Sequence, residues 1–164
     1  MTDTLRETTV QTHRVYLKAS PEQIWAALTE SEWTQRYGYG GRIDIEARPG
    51  GVYRGYASEA WVGPDVRTVI IEGEVIEAQP GTRLALTWRM TGDPSMATES
   101  PTRLSYDIAQ DERGLVTLTV THDVTGAPNT AALLAGDLPG TGGGWPFVLS
   151  DLKTLLETGS PLTA

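Results

Sequence analysis

The sequence predicts an α+β fold: a seven-stranded antiparallel sheet wrapped around one long C-terminal helix, with two short helices between strands 1 and 2. Three observations predict it. Six consecutive segments after residue 42 alternate apolar and polar residues with a period of two, and short turns separate them. One amphipathic stretch, residues 145–157, follows them. A strand-like segment and a well-capped helix precede them. A lone helix after many strands must lie across the sheet to bury its apolar stripe, and a sheet curled around such a helix leaves room for a cavity.

Each element has its local reason. Residues 8–18 are rich in β-branched and aromatic side chains, with Val15 and Leu17 in one phase. Ser20-Pro21-Glu22-Gln23 supplies an N-cap, a proline at the first helical position and a glutamine at the third. Ile24, Trp25 and Leu28 then share a helical face. A second short helix starts at Ser31 and carries Trp33 and Tyr37 four residues apart, and Gly38-Tyr39-Gly40-Gly41 ends it. Residues 42–47 and 52–57 form strands on either side of the turn Arg48-Pro49-Gly50-Gly51. Residues 58–65 read as a hairpin loop carrying Trp61, and residues 66–78 as a long strand closed by Gln79-Pro80-Gly81. Leu84, Leu86, Trp88 and Met90 point one way on the next strand, and Leu104, Tyr106 and Ile108 on the one after it. Val116, Leu118, Val120 and His122 continue the inward phase on the last strand, which pairs with its predecessor as a hairpin. Residues 91–101 and 123–142 read as loops.

Composition narrows the function classes. A chain of 164 residues suits one domain, 1–164, with its core at about 8–159. The formal net charge of −8 argues against nucleic acid and against anionic membranes as partners. With no cysteine, disulfides, thiolate chemistry and cysteine-bound metals are excluded; with only His13 and His122, no histidine-rich metal site is expected either. Neither a metal nor an organic cofactor is expected. No apolar run reaches the roughly 20 residues that span a bilayer, so no membrane insertion is expected. The N-terminal residues lack the apolar core of a signal peptide, and a cytoplasmic location is the default expectation.

The candidate site residues are Trp33, Tyr37, Tyr39, Trp61, Trp88, Tyr106, His122 and Trp145. Five tryptophans and six tyrosines outweigh a single phenylalanine. Indole and phenol rings combine apolar area with one polar handle, which suits an apolar or aromatic ligand bearing few hydrogen-bonding groups. Tyr37, Tyr39 and Trp61 fall near loops, where binding residues concentrate. For Trp145, as for Trp25, plain core packing is the simpler role. His122 continues an inward phase and is the best single polar candidate, but a structural histidine bonded to a backbone carbonyl explains it more simply. His13 shares the phase of Val15 and is expected at the surface. Glu72 and Glu74 share a strand face opposite the apolar one, so they are expected in solvent beside Arg67, Arg83, Arg89 and Arg103. No residue is assigned a catalytic role: the chain has no G-x-S-x-G elbow, phosphate loop or H-E-x-x-H motif.

Five local motifs, in order, resemble the START/SRPBCC (Bet v-like helix-grip) superfamily and, within it, the branch of activator of heat-shock-protein ATPase homologues (AHSA-like). They are Ala19-Ser20-Pro21-Glu22-Gln23-Ile24-Trp25, Arg48-Pro49-Gly50-Gly51-Val52-Tyr53-Arg54, Gly73-Glu74-Val75-Ile76 with Leu84-Ala85-Leu86-Thr87-Trp88, Thr119-Val120-Thr121-His122, and the Gly144-Trp145 to Leu155-Leu156-Glu157-Thr158-Gly159 ending. The resemblance spans about residues 15–159. It departs at Tyr37-Gly38-Tyr39, where the family often has a Trp followed by Phe or Trp, and at the Ala/Gly/Leu-rich residues 123–142. It implies a helix-grip fold, leaves a homodimer open and suggests a link to stress response.

Three functions compete. The first is a soluble binding protein for a small hydrophobic or aromatic molecule, lipid or polyketide-like, between the sheet and the C-terminal helix. The second is a cyclase, aromatase or hydratase in the same cavity, which needs a buried titratable group such as His122 or Tyr106. The third is a chaperone-associated interaction domain, which needs an exposed patch. The Gly142-Gly143-Gly144 run offers a hinge for ligand access.

Overall fold

The computed structural model describes residues 8–58 and 68–163. Its strands are β1 (Val10–Leu17), β2 (Ile43–Ile45), β3 (Val52–Tyr56), β4 (Val69–Gln79), β5 (Arg83–Met90), β6 (Thr102–Gln110) and β7 (Val116–Asp123). The helices among the described residues are α1 (Pro21–Thr29), α2 (Ser31–Thr34), α3 (Pro94–Ala97), α4 (Pro128–Ala135) and α5 (Gly144–Thr158). The strands form one sheet in the order β1-β7-β6-β5-β4-β3-β2, antiparallel throughout. Strands 2 to 7 are a meander, and the first strand returns beside the last.

Local chemistry sets the ends of the elements. Ser20 and Gln23 form a reciprocal capping box at the start of α1, which satisfies two backbone donors. The register shifts at two places on β4, at Ile70 opposite Gly55/Tyr56 of β3 and at Ile76 between Val75 and Glu77, where an unpaired residue bends the strand. The inward faces of β5, β6 and β7 bury Leu84, Leu86, Leu104, Leu118 and Val120, and they share one core with Leu149 and Leu152 of α5. Each such leucine contributes about 1.5–3 kcal/mol by leaving water. On the outer face, Glu72 and Glu74 are exposed; Arg89 pairs with Glu72, and Arg83 bridges Asp107 and Glu77.

The structure corrects several expectations. The second helix stops at Thr34, so Tyr37 lies beyond it in the turn that leads to Gly38 (φ 65°). Residues 91–101 hold α3, and residues 123–142 hold α4, where loops were expected. No side chain of the α4 N-cap, Ala127, closes that helix start. Glu99 does so from the other segment, accepting from the backbone N–H groups of Asn129 (2.7 Å) and Thr130 (2.9 Å). His13 is half-buried instead of being at the surface, its Nε2 enclosed without a partner.

Candidate functional site

A cavity of about 130 Å³ lies between the sheet and the N-terminal half of α5. Its floor is the concave face of β3 to β6, with Tyr53, Ile71, Trp88, Met90 and Tyr106. Trp145 and Val148 of α5 and Leu133 and Leu134 of α4 close one side, and residues 37–41 the other. No charged side chain lines it among the described residues. Tyr39 holds two rim segments together. Its hydroxyl accepts from the Gly144 N–H at 3.0 Å, and its ring occupies the space that a Gly142 side chain would need.

The polar groups in this wall are mostly hydroxyls. Tyr37 donates to the Ala27 carbonyl at 2.8 Å. The Trp88 indole lies beside the Tyr53 hydroxyl, close enough to oppose part of the rise that burial gives this phenol. Burial pushes the phenols of Tyr37, Tyr53 and Tyr106 upward, and each lies near enough to another for its charge to be felt, so all three stay neutral.

His122 stands behind this wall. It is fully buried, and both ring nitrogens are engaged. Trp145 Nε1–H donates to His122 Nδ1 at 3.2 Å, which puts the imidazole proton on Nε2. That N–H faces the Thr102 hydroxyl at 2.7 Å, and Thr102 donates to the Trp88 carbonyl at 2.7 Å. The expected backbone carbonyl is therefore reached through a threonine, not directly. The ring also meets Trp88 and Trp145 edge-on, at 5.4 and 6.0 Å between centroids. Its role is to position two indoles that line the cavity.

Desolvation lowers the His122 pKa to about 4. A histidine held neutral in the fold stabilises fully above its unfolded value near 6.5. The stability is lost as pH falls toward 4, because the unfolded chain takes up a proton that the fold refuses. Between pH 7 and pH 4.5 the loss from His122 is expected to be about 2–3 kcal/mol. His13, also lowered by burial, adds in the same direction. Urea denaturation at the two pH values checks this: His122→Asn is expected to be less stable at both, with a smaller difference between them.

Of the residues singled out from sequence, Tyr37, Tyr39, Trp88, Tyr106 and Trp145 line the cavity together. Tyr106 and Trp145 meet edge-on at 5.9 Å. Trp33 does not line it; it packs against the core, with the Arg36 guanidinium 4.6 Å from its ring centre. Trp61 lies outside the described residues. Sequence reasoning missed Tyr53, although its inward phase on β3 was available, and Leu133 and Leu134, whose helix had been read as loop. Spacing along the chain gave no partner for Asp151 either. That carboxylate is buried and accepts from the backbone N–H groups of Gly38 (2.8 Å) and Leu162 (2.7 Å).

No group of three or more His, Asp or Glu side chains is placed to hold a metal among the described residues, and no helix there is long and apolar enough to cross a membrane. The family model described as "Activator of Hsp90 ATPase homolog 1-like protein" matches residues 18–157. No curated protein matches the chain. Among solved structures, protein MLL2253 from Mesorhizobium loti is similar at 19% identity and a TM-score of 0.67, over 90% of this chain and 96% of that one. The Aha1 dimer from Colwellia psychrerythraea gives 19% and 0.64, over 92% and 98%. CalU16 from Micromonospora echinospora gives 15% and 0.63, over 96% and 86%. At these identities the likeness shows the helix-grip fold alone.

Proposed function

The chain belongs to the family of activator of Hsp90 ATPase homolog 1-like proteins, and from that premise we propose that it binds a small, neutral aromatic or apolar molecule in the cavity between the sheet and α5. The observation that carries this reading is the cavity wall, in which aromatic and aliphatic side chains converge without any charged group among the described residues. Size narrows the ligand. An apolar cavity of about 150 Å³ takes one benzene ring, whereas sites for drug-sized ligands run to about 300–1,000 Å³. The 130 Å³ space is thus of single-ring size, with room for at most a small substituent. A lipid chain or a fused polyketide requires the rim to open, and the rim is where Gly140, Gly142, Gly143 and Gly144 all adopt positive φ.

Binding is favoured over a cyclase, aromatase or hydratase by the state of the ionisable groups. Acid–base chemistry near neutral pH needs a group that exchanges a proton there. His122 has both nitrogens engaged and a pKa of about 4, and the cavity phenols are pushed upward. Binding is also favoured over a chaperone-associated interaction domain, because the aromatic residues converge inward instead of forming an exposed patch.

Calorimetric titration with ethylbenzene tests the reading. One site per chain is expected, and Val148→Phe, which fills the cavity from α5, is expected to weaken binding about tenfold or more. Absence of binding, or binding that ignores this substitution, sinks the proposal.

A further inference from the structure

Packing does not account for every polar group of the cavity wall. Tyr106 is only 8% exposed, yet its hydroxyl has no hydrogen-bond partner among the described residues. It is not among the most deeply buried unpartnered polar atoms, Gln11 Oε1, His13 Nε2 and Ser58 Oγ, the last of which belongs to another residue of the cavity wall. Tyr106 lines the cavity, so its hydroxyl opens onto that space. A buried hydroxyl left unpaired is costly, and native structures rarely keep one without use.

The neighbouring groups define what is missing. Trp145 N–H is spent on His122, and the Trp88 indole lies beside the Tyr53 hydroxyl. Thr34 donates to the Ser31 carbonyl, and Thr141 to the Leu138 carbonyl. Tyr53 is buried in the same wall, and its O–H makes no hydrogen bond among the described residues, so its proton is free to donate. Tyr106 has a free O–H as well. The wall thus holds an excess of O–H donors, and none of its side chains is charged among the described residues.

We propose that Tyr106, with Tyr53 as second donor, receives a neutral carbonyl oxygen carried on a single aromatic ring, so that the ligand class is an aryl ketone or aldehyde. This rests on the cavity being the binding site. A carbonyl oxygen has two lone pairs and takes both O–H donors, while the ring lies among Trp88, Met90, Trp145 and Val148. A carboxylate is disfavoured because no cationic side chain lines the cavity among the described residues.

Titrations with acetophenone, ethylbenzene and benzoate test the assignment. Acetophenone and ethylbenzene differ by a carbonyl in place of a methylene. The wild-type protein is expected to bind acetophenone about tenfold more tightly than ethylbenzene. In Tyr106→Phe that ratio is expected to fall toward one, and a ratio between two probes sharing the ring is insensitive to a general loss of fold. Benzoate is expected to bind more weakly than acetophenone. Equal affinity for acetophenone and ethylbenzene in the wild type, a preference for benzoate, or an unchanged ratio in Tyr106→Phe overturns the assignment while leaving the cavity reading in place. Failure of both acetophenone and ethylbenzene to bind overturns the cavity reading and this assignment with it.

Discussion

Asp151→Ala is expected to lower the unfolding free energy by about 3–5 kcal/mol, since it removes two hydrogen bonds to a charged group worth about 1.5–3 kcal/mol each. Asp151 is 2% exposed on α5 and reaches in two directions. Oδ2 accepts from Gly38 N–H in the segment that borders the cavity, and Oδ1 accepts from Leu162 N–H in the C-terminal tail. Alanine leaves both donors short of a partner. Asp151→Asn keeps one carbonyl oxygen and is expected to lose about half as much, because an amide nitrogen cannot accept. Chemical denaturation of the two variants beside wild type checks the ranking. A loss below about 1 kcal/mol in the alanine variant contradicts the role given to this carboxylate.

Gly144→Ala is expected to cost a similar amount, about 3–5 kcal/mol, by two additive routes. Gly144 begins α5 at φ 63°, a left-handed conformation that an L side chain adopts only under strain. A Cβ there also runs into the Leu134 carbonyl, and it falls 2.7 Å from both Gly136 N and the Leu133 carbonyl. The end of α4 must therefore move away from α5. Leu133 and Leu134 line the cavity, so ligand binding is expected to fall along with stability. Gly140→Ala is the control: it shares the positive φ, but no atom lies within 4 Å of its added Cβ, so strain alone remains. Thermal melts in which both variants shift equally contradict the clash.

Periodicity made the sheet legible. Leu84, Leu86, Trp88 and Met90, and Val116 to His122, bury the residues that alternation assigns inward. Capping chemistry did the same for α1, where Ser20, Pro21 and Gln23 state the helix start locally. The helix α4 was legible in part. Pro128 at its first turn and Gly136 in the left-handed C-cap are ordinary helix signals, but the surrounding Gly and Pro residues masked them. Its N-terminal cap was not legible at all, because Glu99 arrives from another segment. The same holds for the site. Inward phase pointed to Trp88, Tyr106 and His122, but phase does not separate a residue that lines a cavity from one just behind it. Only the partners of His122, Thr102 and Trp145, place it behind the wall. Asp151 escaped for the same reason: its meaning lies in Gly38 and Leu162, which tertiary folding brings to it.

The most direct measurement is a methyl-resolved NMR titration of the wild-type protein with acetophenone. The account predicts saturable shifts at Ile70, Ile71, Leu133, Leu134 and Val148, which border the cavity, and little change at Leu118, which is buried away from it. Shifts confined to exposed methyls such as those of Val10, Val52 and Ile76, or no saturable shift at all, contradict it.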